Sequence, residues 1–277
     1  PCQTEIRGSL NVTYNFEVVH DSILTPLLIQ MAVESALLAT EKTIGDKSMT
    51  LKLEIGIAGR EEPVRIENEF FDSGPSWFPI YNVIEPITML LNNEFKTAEI
   101  ESIKLVGEIS EQNNIAFIDN VRVSNKWVSP GEELVLDIRL KPYTQELASI
   151  PVKIKVPDDV APGSSIQVIV CDAMISKMLE ITTAPGHFLP SSFEQLIDYF
   201  EDGERNNNII VKIGLKRKGL TYMGEDFPSL PNSFISIMSL SNQSGVTPLR
   251  SEMVKRIPTE WLINGKQTIN LFVNNES

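Results

Sequence analysis

The hydrophobic positions change period several times along the chain, and each change marks an element. LNVTYNFEVV, residues 10–19, sets Val12, Tyr14, Phe16 and Val18 on one side of an extended segment and Asn11, Thr13, Asn15 and Glu17 on the other, which predicts a half-buried strand. After His20, Asp21 and Ser22 the spacing becomes helical: Leu24, Leu27, Leu28, Met31, Leu37 and Leu38 recur up to Thr40. Pro26 is tolerated in the first turn, Asp21, Ser22 or Thr25 can cap it, and the face carrying Leu27, Leu28, Met31 and Leu38 is expected to pack on the sheet. TLKLEIGIAG and EPVRIENEFF alternate strictly around GREE, the pattern of a hairpin. A second helix is predicted over about residues 80–92, with Ile80, Val83, Ile84, Ile87 and Leu91 on its apolar face and Pro86 in its first turn or at a kink. AEIESIKLVGEIS and AFIDNVRVSN predict another hairpin, turning at Asn113 and Asn114. Residues 1–123 are therefore expected to form an α+β module, an antiparallel sheet with two helices packed on one side.

The second half is mainly β. VSPGEELVLDIRL and VAPGSSIQVIVCDA both place Val-x-Pro-Gly before an alternating run. Pro130 and Pro162 fix φ, and Gly131 and Gly163 are expected at positive φ, as type II turns require. Leu134, Leu136, Ile138 and Leu140 should line a core with Ile166, Val168 and Val170. Cys171 falls on the other face with Gln167 and Ile169, so it need not be deeply buried and could reach a second module or Cys2. With IPVKIKVPDD as a further strand, residues 124–183 predict a small immunoglobulin-like β-sandwich lacking the Cys-Trp-Cys spacing of antibody domains. Residues 184–277 are expected to form a third, β-rich module. In it Ser191 or Ser192 caps a short acidic helix, FEQLIDYFE, in a linker role, LPNSFISIMS is a strand, and INGKQTINLFV turns at Asn-Gly between strands.

Composition narrows the function classes. Apolar residues make up 42% and charged ones 22%, a globular balance, and the longest apolar run is broken by Gln30 and Glu34, short of the roughly 18 residues a membrane span needs. Lys and Arg number 24 against 37 Asp and Glu, a net charge of -13 that opposes contact with phosphate backbones, so nucleic acid is not an expected partner. Pro1 follows no initiator Met or apolar leader, and the chain is expected to be a piece of a longer protein. Cys2 and Cys171 fit one disulfide or two separate thiols.

Candidate chemistry is sparse. His20, Asp21 and Ser22 cannot build a triad with one another, because adjacent residues of an extended chain point to opposite faces, and a helix cap accounts for them. His187 has no nearby second His to share a metal, so neither a metal site nor a cofactor is expected. No phosphate-binding, dinucleotide, calcium or nucleophile-elbow motif occurs. The acidic pairs Glu61-Glu62, Glu132-Glu133, Asp158-Asp159 and Glu201-Asp202 read first as solvated turns, and the basic cluster Lys216–Lys218 as a strand end. Trp77, Phe78 and Trp127 are packing residues on the plainer reading and a peptide or carbohydrate surface on the other.

YNFEVVHDSILTPLLIQMAVESAL, WVSPGEELVLDIRLKPY with IPVKIKVPDDVAPGSSIQVIVCDA, FPSLPNSFISIM and INGKQTINLFV together resemble the long region that follows the catalytic domain in large bacterial proteins of the SpoIVB-type serine peptidase family, S55. That family's serine, in a Gly-x-Ser-Gly context with an upstream His, has no counterpart here, so no catalytic residue carries over. The resemblance implies a noncatalytic binding or scaffolding region, in the bacterial envelope or secreted, whose partner is another protein or an upstream domain of the same polypeptide. The alternative is a glycan or peptide hydrolase using carboxylates in an inter-module cleft. A third reading is a structural assembly protein with exposed strand edges.

Overall fold

The computed structural model describes residues 1–8, 11–40, 46–72, 78–143, 146–240 and 245–275. The chain divides into two compact units, Pro1–Asn114 with Ser191–Arg205, and Ile115–Pro190 with Asn206–Ser277. Among the described residues no helix is long and apolar enough to cross a membrane.

In the first unit β1 (Cys2–Arg7) and β2 (Asn11–Phe16) lead to α1 (Leu24–Thr40); β3 (Lys47–Ile57) and β4 (Val64–Asp72) follow, then α2 (Phe78–Leu91) and β5 (Ile100–Ser110). The strands form one sheet in the order β2-β1-β5-β3-β4. β1 and β5 run parallel while the other neighbours are antiparallel, so the sheet is mixed rather than antiparallel throughout. The reason is connectivity: the long excursion through α2 returns the chain to the middle of the sheet, a placement that alternation within one strand does not encode. Thr4, Ile6, Leu53, Ile55, Ile103 and Leu105 face a core that also takes Ile29, Val33 and Leu37 of α1 and Ile80, Val83, Ile87 and Leu90 of α2. The opposite sheet face is polar and carries ion pairs, among them Arg7–Glu108 (3.2 Å), Lys52–Glu108 (3.5 Å) and Arg205–Glu67 (3.2 Å). The helices thus cover one face and water covers the other.

The second unit begins with β6 (Ile115–Val123), β7 (Trp127–Val128), β8 (Glu133–Pro142), β9 (Ala148–Lys155) and β10 (Ser165–Cys171), followed by α3 (Ala173–Thr183) and the 3-10 turn Pro185–Phe188. α4 (Phe193–Glu201) belongs to the first unit. β11 (Asn208–Tyr222), β12 (Glu225–Phe227), α5 (Asn232–Leu240), β13 (Val246–Pro258), β14 (Leu262–Asn264) and β15 (Lys266–Val273) complete the chain. One sheet runs β14-β6-β8-β9; the other runs β12-β11-β10-β15-β7, with β13 also paired to β11. Leu134, Leu136, Ile138 and Leu140 of the first sheet and Ile166, Val168, Val170, Ile209, Val211 and Leu271 of the second belong to one buried cluster, so two sheets share a core. Gly131 and Gly163 have φ of 75° and 70°, as their turns require.

Several sequence expectations change here. β5 and β6 are not a hairpin: they lie in different sheets, and the boundary between units falls at Asn114. The two-sheet unit starts at Ile115 rather than near residue 124 and draws its second sheet from β11, β13 and β15, strands expected in a separate third module. The Asn-Gly step at Asn264 and Gly265 joins no hairpin either, because β14 pairs with β6 and β15 with β10 and β7, so the chain changes sheets at Gly265, φ 107°. FISIMS, whose alternation suggests a strand, lies in α5. α3, unmarked by any strong apolar period, starts where Asp172 accepts from Ile175 N at 2.7 Å. Its position explains Cys171, which does point away from the sandwich core yet is 0% exposed, clustered with Ala173, Ile210, Ile175 and Leu179.

α4 is not a linker. Ser192 caps it by accepting from Gln195 N, as expected, and Phe193, Leu196, Ile197 and Phe200 enter the core of the first unit. Arg60 pairs with Glu194 (2.9 Å), and Glu201 accepts from Arg65 N (2.9 Å), fixing the helix on β4.

Candidate functional site

α1 is apolar on two sides. Its inner side buries Pro26, Ile29, Val33, Ala36 and Leu37. Its outer side exposes Leu24, Leu27, Leu28, Met31 and Leu38, with Leu27 at 49% and Met31 at 56%. At 100° per residue these five fall within one face opposite the buried one. The expected burial of Leu27, Leu28, Met31 and Leu38 is therefore reversed: two apolar stripes obscure which side faces the sheet, and the smaller Val33 and Ala36 mark the packed one. Glu34 is the sole charged side chain of the helix.

Local bonds fix this helix firmly. The Asp21 carboxylate accepts from Ile23 N (2.9 Å) and Leu24 N (2.8 Å), and these donors hold its pKa below the usual carboxylate range. That accounts for the His20-Asp21-Ser22 run as a helix start. At the other end Tyr14 and Thr40 share a hydroxyl hydrogen bond of 2.9 Å, which ties α1 to β2. Val19 and Ile23, which precede the helix in the chain, are exposed as well.

The aromatic candidates are distributed differently. Trp77 and the side chain of Phe78 lie outside the described residues. Trp127 is exposed on β7 and packs against Phe272 of β15. No sequence signal linked Trp127 to Phe272, because the pairing of β7 with β15 spans most of the second unit.

His187 is bound on both nitrogens, Nδ1 to Glu180 (2.6 Å) and Nε2 to Asp226 (2.7 Å), and Asp226 also accepts from Thr221 (2.7 Å). The hydrogen bond to Glu180, aided by Asp226, raises the His187 pKa to about 9, and Glu180 is lowered in return, mainly by His187. Near neutral pH the ring is an imidazolium with both N–H groups engaged. It cannot take a proton from a nucleophile, so this cluster clamps α3, the 3-10 turn and β12 rather than performing base catalysis. Beneath α3, buried Lys212 donates to Ser176 O (3.2 Å) and pairs with Glu252 (3.4 Å).

The acidic pairs are engaged in local structure. Glu62 pairs with Arg65 (3.3 Å), Glu132 accepts from Ser129 N (2.7 Å) and Asp158 pairs with Lys155 (2.9 Å). Cys2 and Cys171 are both buried thiols outside any disulfide, and burial pushes the Cys2 thiol up, away from nucleophilic thiolate. Among the described residues no group of three or more His, Cys, Asp or Glu could hold a metal ion. An open cleft of about 570 Å³ in the first unit is lined by Pro1, Phe16, Glu17, Glu54, Ser102 and Lys104. A smaller one of about 250 Å³ in the second unit has Ile154, Val211, Ile213 and Met253 on its walls. There Lys255 Nζ donates to Lys153 O (2.8 Å), tying β13 to the outer edge of β9. Comparison with protein families, curated proteins and solved structures returned no match.

Proposed function

We propose that the chain is a noncatalytic binding region that docks a protein partner through the outer face of α1. The observation that carries this reading is that face itself: Leu24, Leu27, Leu28, Met31 and Leu38 stand in water on a helix whose other side already fills the core. Scattered exposed apolar residues are ordinary, but five large ones gathered on one face of a helix, broken by Ser35 and edged by Glu34, mark an interaction surface. The clamped His187, the buried thiols and the ion-paired carboxylates favour binding over turnover. The resemblance to the region following S55 peptidase domains fits the same reading, with the partner an upstream domain or a second envelope protein and the location outside the bacterial cytoplasm. An immunoglobulin-like character for the two-sheet unit draws support from β7, which pairs parallel with the last strand β15 while β6, just before it, lies in the other sheet.

Photocrosslinking tests the docking face. A photoreactive residue placed at Leu27 or Met31 should give one discrete protein adduct in bacterial cells producing the full polypeptide. The adduct should vanish when Leu24→Glu is added and be absent when the probe stands at Glu101, which is exposed on β5. Identical products from all three positions, or none from Leu27 and Met31, would overturn the proposal.

A further inference from the structure

The second unit carries an aromatic pair that its packing does not use. Trp127 is 56% exposed and Phe272 40%, with ring centroids 5.3 Å apart and planes tilted by 36°. Strand register fixes what surrounds them. Phe272 stands opposite Trp127 on one side and Ser165 on the other, and Asn270, two residues along the same strand, stands opposite Gln167. Residues two apart on a strand share a face, so all five project together from the outer face of this sheet. Ile269, Leu271, Val273, Ile166 and Val168 point the other way, into the core. Ser165, Gln167 and Asn270 are exposed like the two rings.

We propose that this patch binds a neutral saccharide. A sugar ring presents C–H groups on its faces and hydroxyls around its edge. The first suit the two aromatic rings, and the second need groups that both donate and accept, which carboxamides and a hydroxyl supply. A platform for an apolar protein surface would have further aliphatic side chains beside the rings, whereas the neighbours here are two amides and a hydroxyl. None of the five is ionised, and a chain of net charge -13 repels polyanionic glycans, which selects an uncharged ligand. With strands about 4.8 Å apart and alternate residues about 7 Å apart, the three-strand patch has room for roughly one or two sugar rings.

Affinity electrophoresis of the full chain through gels holding neutral polysaccharides (a soluble β-glucan, a galactomannan, glycol chitin) tests the platform, with an anionic polysaccharide as comparison. At least one neutral gel should retard the chain, and Trp127→Ala and Phe272→Ala should each weaken that retention about tenfold. Gln167→Leu, which keeps the rings, should weaken it as well, and Tyr81→Ala, at an exposed position of α2 in the first unit, should leave it unchanged. Circular dichroism confirms that each variant is folded before its mobility is scored. No retardation in any neutral gel, retention by the anionic polymer alone, or retention indifferent to Trp127→Ala would overturn the proposal. Capture of unstructured peptides by the same residues in place of sugars would overturn it too.

Discussion

Asp172 and Gly265 are joined twice: Asp172 N donates to Gly265 O (3.1 Å), and Gly265 N donates to the Asp172 carboxylate (2.7 Å). The second carboxylate oxygen accepts from Ile175 N (2.7 Å) at the start of α3. One nearly buried side chain therefore fixes the end of β10, the first turn of α3 and the point where the chain changes sheets.

Replacing the Asp172 side chain removes its two carboxylate bonds at once and leaves the backbone bond to Gly265 O in place. Asp172→Ala should cost about 1 kcal/mol for the lost helix cap and about 1–3 kcal/mol for the Gly265 N–H left without its partner. Asp172→Asn, with one acceptor oxygen for two donors, should fall between Asp172→Ala and the parent chain in urea denaturation. An Asn variant as stable as the parent would show that one of the two bonds contributes nothing.

The two stripes of α1 make opposite predictions. Ile29→Ala, at 1% exposure, should destabilise by about 2–5 kcal/mol, whereas Leu27→Gln on the outer face should change stability by less than about 0.5 kcal/mol. Reversible denaturation of the two variants side by side decides which face is packed.

The contrast shows what the sequence could and could not disclose. Strand alternation located the cores around Leu134–Leu140 and Ile166–Val170 because one face of each strand meets water, and the Pro-Gly turns were readable because only glycine accepts that backbone cheaply. α1 misled because both its sides are apolar, so periodicity could not choose between them. The parallel β1–β5 pairing, the sheet change at Gly265 and the return of α4 to the first unit depend on contacts far apart in sequence. The same holds for the Trp127–Phe272 and His187–Asp226 partnerships, which no local spacing announces.

The His187 clamp should make stability depend on pH. Its folded-state pKa lies near 9 against an ordinary 6.5, so the contribution is complete below about 6.5 and disappears as pH rises through 9. Glu180 shifts the other way, and its share is present above its ordinary 4.5 and lost in more acidic solution. The stability gap between the parent and His187→Asn should be widest between about pH 4.5 and 6.5 and nearly closed by pH 10. A gap independent of pH would mean that the imidazole acts by packing alone.

Glycine substitutions should separate two environments. At Gly163, φ 70°, an added Cβ would also meet Asn275 Oδ1 at 2.6 Å, so Gly163→Ala should destabilise by about 1–2 kcal/mol or more. At Gly214 nothing lies within 4 Å of the new atom, and Gly214→Ala should be neutral or stabilising by up to about 1 kcal/mol. Thermal unfolding of both variants distinguishes them.

Both thiols should resist modification in the native chain. At pH 8 a thiol-specific chromogenic reagent should release almost no colour until denaturant is added, after which both Cys2 and Cys171 should react. Rapid labelling of Cys2 without denaturant would contradict its buried, proton-retaining state.

The order in which the units take their residues governs how the protein can be made. A ribosome that has released Pro1–Asn114 has not yet supplied Phe193, Leu196, Ile197 and Phe200, which complete that first core. The nascent first unit must wait, its apolar surface open to chaperones, while strands of the other unit emerge. A recombinant fragment stopping at Asn114 inherits the same deficit permanently. A soluble version calls for residues 191–205 to be grafted back by a linker, and the natural gene order leaves early synthesis as the stage most exposed to misfolding.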